Sequence, residues 1–320
     1  MFDRTDLDLS TANNRAESLN QGFRWATQAF AIGSMIVLFW MIGVILMAAL
    51  PAMRQFGLGF LWSQDWNIGE LVFGGLPYIY GTLVTSTIAV LLAVPVGIAV
   101  ALVTSETFLP RWLRSPLAIL IELIAAIPSV IIGLWGIFVL IPFLVPVQQW
   151  LFRSFGWLPL FGTEPIGAGT LVAGVILAIM ILPTIAAISR EVLLALPREL
   201  QAASRALGAT LWETLFRIIL PMATPGILGA VTLGLGRALG ETMAVTMVIG
   251  NSTQLSLSLL DLGSTIPAVL ANQFAEALDD LHISALMYLA LILFVLTLGV
   301  NILASYIIES LSQSRGMDNP

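Results

Sequence analysis

Cysteine and lysine are both missing from the 320 residues, and histidine occurs once, as His282. Without cysteine there is no disulfide framework, no Cys/His zinc centre and no cysteine nucleophile. Without lysine there is no Walker A phosphate loop, whose lysine reaches the nucleotide phosphates. Hydrolysis of ATP by that route is therefore excluded for this chain. Charge is scarce as well: 10% of residues are charged, against roughly 25% in soluble domains. What replaces it is apolar surface, at 58% of the residues. That is the composition of an integral membrane protein, and the length suffices for about six bilayer crossings with their loops.

The apolar runs predict spans at about 29–50, 79–103, 116–142, 168–189, 226–250 and 284–308. The fold class expected is all-α, a polytopic membrane helix bundle. Residues 1–28 read as a polar, disordered cytoplasmic tail. Residues 29–75 hold the first span and an outer loop, residues 76–308 a core of five spans with an inner connector at 190–222, and residues 309–320 a second tail. No small-x-small cleavage site closes the first span, so it reads as a membrane helix rather than a signal peptide. Pro95 falls inside the second span, where neighbouring helices can satisfy the carbonyl it frees.

Orientation follows from the arginines. With the N-terminus inside, ten lie in inner segments, only Arg54 and Arg153 lie outside, and Arg237 is within a span. That bias predicts both termini to be cytoplasmic. Trp62, Trp66, Trp150 and Trp157 then fall in the two outer loops, as an interfacial aromatic belt would. In the outer loop 251–283, Ser264 is the expected cap of a short helix with Pro267 in its first turn. Ile266, Leu270, Phe274 and Leu278 would share one face of it, set on the outer surface, in a vestibule or against the bundle.

The inner connector, PRELQAASRALGATLWETLFRIILP, reads as helix, glycine turn, helix. Pro197 suits a first turn, and Gly208 suits a stop that needs positive φ. Thr210 and Glu213 match a capping box that opens the second helix. A DNA-binding helix-turn-helix has the same outline. Spans tether this segment on both sides and it has no dense basic face, so no nucleic-acid partner is expected.

Beyond the connector the apolar run carries Arg237 and Glu241, four residues apart. On one helix they would pair, one turn apart. An arginine at a helix centre costs about 2.5–3.5 kcal/mol on insertion scales. The pair is either a structural ion pair at a tight crossing or a functional site. Gly234, Gly236 and Gly240 around it permit close helix approach or leave room for a ligand. Glu122 is a second acid expected within a span, in LAILIELIAAIPSVIIGLWG, where Pro128 can bend or break the helix. It could pair with an arginine, line a cavity or reach water at the inner face.

Gly208, nine residues, then Ile218-x-Leu220-Pro221 resembles the EAA loop of ABC-importer membrane subunits. Ala202, Ala203 and Ser204 align with E-A-A, the leading glutamate being replaced. The phrases LGLGRALGETMAVTMVIGN, IAAIPSVIIGLWG, ANQFAEA and LHISALMYLALILF resemble the C-type permease subunits of phosphate-specific ABC importers. The similarity runs from about Leu76 to Ser310. It implies the ABC importer permease fold, in the cytoplasmic (inner) membrane of a bacterium. The function implied is import of inorganic phosphate, driven by ATP bound on other subunits. The partners implied are an A-type permease subunit in a heterodimer, two copies of a cytoplasmic ATPase and an extracytoplasmic phosphate-binding protein. No cofactor or metal is expected in this chain. Arg237, Glu241, Gly240 and Glu122 would line the substrate pathway. Ala202, Ala203, Ser204, Gly208, Ile218, Leu220 and Pro221 would couple to the ATPase, through a helix that docks in a groove on it. The rival reading is a proton-coupled anion carrier working through Glu122 and Glu241. Many such carriers have inverted repeats and paired broken helices, which the sequence does not present.

Overall fold

The computed structural model describes residues 9–105 and 110–313. Residues 1–8 and 314–320 of the two predicted tails lie outside them. The described chain is all-α, with isolated bridges but no strand. Among the described residues, six stretches are long and apolar enough to cross a membrane: Asn20–Leu61, Leu76–Ser105, Ser129–Phe155, Thr170–Ala195, Leu211–Gly240 and Asp280–Ser310.

Residues 1–48 and 49–320 separate into two compact units. The first is helical from Leu9, the start of α1 (Leu9–Phe56). The expectation of a disordered tail to residue 28 is thus corrected from Leu9 onward. Residues 9–28 contain no proline and one glycine, Gly22. Once the apolar segment beyond is helical, each added residue gains a hydrogen bond without a second nucleation cost.

The second unit is built on α2 (Leu76–Ser105) and α6 (Thr170–Ala195). Gly174 lies against Ile88, and Gly97 against Ile185 and Ala186. Contacts that advance together along both helices mean that the two run parallel. Ala89, Ala93, Ile176, Leu177 and Ile181 are buried at this seam. Small residues facing branched ones let the backbones approach and maximise dispersion contact, the main source of helix cohesion in lipid.

The third span is the largest departure from expectation. Residues 111–125 form a separate helix, α3 (Arg111–Ala125), and the spanning segment starts at α4 (Ser129–Trp135). It continues through a π turn into α5 (Ile141–Phe155). Proline at 128 has no N–H to give and pushes the residue before it out of the helical region, so the helix stops there. Trp150 therefore sits on α5 and not in an outer loop. Trp66 is not a belt residue either: it packs edge-on to Phe73 and Tyr78 and donates to Gln273 Oε1 at 3.0 Å. His282 Nε2 lies 3.2 Å from the same oxygen. Trp62 and Trp157, 75% and 78% exposed, keep the exposure expected of belt residues.

The connector forms α7 (Arg198–Ala206) and α8 (Leu211–Thr214), the latter passing through a π turn at Leu215–Ile219 into α9 (Leu220–Gly240). The fifth span breaks after Gly240, and a short α10 (Met243–Val248) follows. Two apolar helices are thus interrupted, near residues 126–128 and 241–242, and the pieces beyond the breaks meet: Gly133 of α4 lies against Ala244 and Met247 of α10. Paired broken helices are therefore present, although the sequence did not present them.

The loop between α10 and α12 (Asp280–Gln313) packs on the bundle. Its helix α11 (Ile266–Gln273) is capped by Thr265, whose hydroxyl accepts from the Ala268 N–H at 3.3 Å, and not by Ser264. Ile266 and Val269 are buried against α12 and the aromatic cluster. Phe274 and Leu278 lie past the helix end, so the expected four-residue stripe is cut short; Leu278 is 96% exposed. Thr82 on α2 fastens the loop, accepting from the Ile266 N–H at 2.9 Å while donating to the Tyr78 carbonyl at 2.7 Å. Thr82→Val keeps the shape but strands that buried N–H, at a cost of about 1–3 kcal/mol. A lower melting temperature and faster hydrogen exchange at the Ile266 amide are expected; unchanged exchange would show that the bond does not hold the loop.

Candidate functional site

Arg237 stands on an open face of α9. The adjoining side of the helix is packed on α6: Gly234 lies against Ile185 and Gly226 against Val192. On the open side, Gly229, Gly236 and Gly240 have nothing within 4 Å of where a Cβ would be, and Leu233 is 58% exposed. Of Gly234, Gly236 and Gly240, Gly234 alone meets a neighbouring helix of the chain at close range. Gly236 and Gly240 leave space beside the backbone, which a bulkier residue would fill.

The expected pairing of Arg237 with Glu241 does not occur. Arg237 is exposed and its Nη1 lies 3.4 Å from the Thr184 hydroxyl of α6. Glu241 has left the helix: its backbone is extended, at φ −69° and ψ 127°. Its Oε1 accepts from the Ala244 N–H at 3.4 Å, at the start of α10. Four-residue spacing brings side chains together only along a continuous helix, and this one ends between them. Arg237 is also at the last turn of α9 and not at the middle of a span.

Glu122, unlike Arg237, lies outside the candidate spans. It is exposed on α3 and lines a cavity of about 390 Å³ together with Arg114 and Ser115 of the same helix and Arg190 of α6. Of the three readings left open, it lines a cavity, and that cavity holds two arginines. Glu122 and Arg237 lie on different helices, α3 and α9.

The connector has the predicted local structure. Gly208 ends α7 at φ +86°, a conformation that side-chain-bearing residues rarely adopt. The Thr210 hydroxyl accepts from the Glu213 N–H at 3.3 Å, and Glu213 Oε2 accepts from the Thr210 N–H at 2.9 Å. Among the residues aligned with E-A-A, Ala202 and Ala203 are exposed, whereas Ser204 is buried, its hydroxyl 2.9 Å from that of Thr214. That bond clamps the two connector helices together. Ile218, Leu220 and Pro221 are half-buried at the π turn and the start of α9.

Sequence reasoning missed three features. Leu207 is 90% exposed, and Trp212 and Phe216, stacked with centroids 6.0 Å apart, are each 59% exposed. An apolar surface beside a polar turn could have been read from those residue types. Thr184 as the partner of Arg237, and Arg190 beside Glu122, come from the pairing of distant helices, which one sequence does not display.

Residues 93–314 match the family described as binding-protein-dependent transport system inner membrane component. The chain is 46% identical over 270 residues to the phosphate transport system permease protein PstC of Xylella fastidiosa strain Temecula1, covering 83% of each chain. It is 43% identical over 299 residues to PstC of Mesorhizobium japonicum, covering 92% of this chain and 91% of that one. A probable PstC of Methanocaldococcus jannaschii is 37% identical over 287 residues, covering 87% and 90%. Among solved structures, a bacterial alginate ABC transporter in complex with an alginate pentasaccharide-bound periplasmic protein aligns with TM-score 0.58 at 16% identity, over 90% of this chain and 97% of that one. The inward-facing MetNI methionine ABC transporter aligns with TM-score 0.51 at 19% identity, over 72% and 91%. These two likenesses concern the fold.

Proposed function

The chain belongs to the family of binding-protein-dependent transport system inner membrane components, and we propose that it is the permease subunit of an ATP-driven ABC importer through which inorganic phosphate crosses. The observation that carries the reading is Arg237, a guanidinium on an open, glycine-lined face of an apolar helix, in a chain closely similar to phosphate permeases. Phosphate must shed much of its hydration to cross, and arginine offers planar, charge-assisted donors to its oxygens. Thr184 steadies the side chain between substrates. Gly236 and Gly240 leave the space in which an anion can approach.

ATP is bound by partner subunits, in keeping with the missing lysine. Leu207, Trp212 and Phe216 around the Gly208 turn form the surface that meets a cytoplasmic ATPase. The open face of α9 is turned toward an A-type permease subunit, so the pathway runs between the two permeases. A binding protein delivers phosphate from outside. The proton-coupled alternative needs Glu122 and Glu241 to work together; the first shares its cavity with arginines and the second holds α10, which supports the ATP-driven reading.

The test is uptake of labelled phosphate by the complex reconstituted with ATPase, second permease and binding protein. Uptake that requires ATP and survives a protonophore supports the proposal; uptake that collapses with the protonophore rejects it. Orientation is tested separately. The arginine bias places both termini in the cytoplasm and residues 251–283 outside. Ser256→Cys and Asn272→Cys introduce single thiols into a cysteine-free chain. Labelling by an impermeant reagent is expected from the outer face, and labelling from the inner face alone would reverse the topology.

A further inference from the structure

We propose that the crevice between α3 and α6 is a second oxyanion site, which takes a phosphate group through Arg114 and Arg190. The proposal rests on the phosphate reading for its place in transport, but its residues are distinct from the Arg237 site. The cavity, about 390 Å³, is lined by Arg114, Ser115, Ala118, Ile119, Glu122 and Arg190. Two helices each contribute an arginine, and Ser115, next to Arg114 on α3, also lines the wall.

The last carbonyls of α2 anchor both arginines. Arg114 Nη1 donates to the Ser105 carbonyl at 3.0 Å, and Arg190 Nε lies 3.5 Å from the Thr104 carbonyl. The Arg190 contact uses Nε, so its remaining N–H donors are those of the terminal nitrogens, the fork that recognises phosphate and carboxylate oxygens in pairs. Glu122 in the same wall repels an anion. The combination suits a site that holds phosphate briefly, since passage needs binding favourable enough to enter and weak enough to leave.

The place of the cavity along α6 gives it a role. Thr184, the partner of Arg237, and Arg190 are on the same helix. Six residues separate them, about 9 Å along the axis. The two positions point about 120° apart around the helix, so an anion released by Arg237 toward the arginine-rich side passes partly around α6 to reach a second cationic site. The same chemistry is presented by the headgroup of an anionic phospholipid. A largely apolar cavity of about 500 Å³ between α2 and α3, lined by Val96, Val100, Leu117 and Ile121 among others, could hold its acyl chain. Thr104 and Ile121 line both that cavity and the small crevice beside Glu122 and Arg190.

Two measurements on the complete transporter separate these sources. In phosphatidylcholine vesicles with ATP inside, inorganic phosphate in the lumen should slow the initial rate of labelled phosphate uptake. For free phosphate, Arg190→Gln should raise the inhibitory lumenal concentration by about tenfold or more. Arg190→Lys should raise it less, and Glu122→Gln should lower it several-fold by removing the repelling charge. A purely structural role gives no reason for opposite shifts. For a lipid headgroup, native mass spectrometry should show an anionic phospholipid bound to the native complex and lost from Arg190→Gln, with lumenal inhibition unmoved. Uptake by the native complex with neither readout altered by the variants overturns the second site. Failure of the native complex to take up phosphate overturns the transport reading instead, and the mass-spectrometric arm then decides the site alone.

Discussion

Arg237→Gln is expected to abolish phosphate uptake in the reconstituted importer while the complex still assembles. At roughly 1.5–3 kcal/mol for each charge-assisted hydrogen bond, losing a two-pronged contact slows passage by on the order of 10²-fold or more. Arg237→Lys recovers part of the rate, because an ammonium supplies charge without the planar fork. The decisive comparison is Arg237→Gln combined with Glu241→Gln. Were the two a structural ion pair, neutralising both would leave no unpaired charge and transport would return. Arg237 instead reaches Thr184, and Glu241 holds the N–H of Ala244. The double variant is therefore expected to be inactive, and restored uptake would sink the assignment of Arg237 to the pathway.

Gly208→Val is expected to uncouple ATP hydrolysis from transport in a protein that still inserts. Nothing crowds the position of the added Cβ, so the effect comes from the backbone, held at φ +86°. A side chain there costs about 1–2 kcal/mol, and a β-branched one suffers most. The turn then opens and displaces Leu207 and Trp212, the exposed apolar residues on either side of it. Phosphate transported per ATP hydrolysed should fall severalfold. Asparagine visits the left-handed region more readily than other residues, so Gly208→Asn should restore most of the coupling. Equal damage from valine and asparagine would mean that side-chain bulk, and not the turn, is at fault.

These two sites show where the sequence was legible. The connector was read almost residue by residue, because a capping box and a positive-φ glycine are local devices whose chemistry lies within three or four positions. Spans two and four were close to their observed ends, since each is one unbroken apolar run. The third was displaced: residues 116–142 were expected, but the segment runs from Ser129 to Phe155. Apolar residues continue on both sides of Pro128, so hydropathy alone does not register the stop. The same blindness affected Arg237 and Glu241. Their spacing was right for a pair on one helix, but α10 needs Ala244, Val245 and Val248 buried against its neighbours, and the chain turns at Gly240 to put them there. Arg190 beside Glu122 was illegible for a different reason: α3 and α6 meet only after folding.

One feature of the connector bears on how far anything must move. α8, the π turn and α9 run on without a loop from Leu211 to Gly240. Trp212, at the exposed foot, and Arg237, near the head, are thus ends of a single lever. Its arm is about 38 Å at 1.5 Å per residue. A tilt of only about 5° at the foot would swing the head by roughly 3 Å, one hydrogen-bond length. The π turn at Leu215–Ile219 lies near the foot of that arm, where the backbone ladder is out of α-helical step. With such mechanical advantage, a small rocking imposed at the foot by a partner subunit would make or break the contact with Thr184 without unwinding the helix between them.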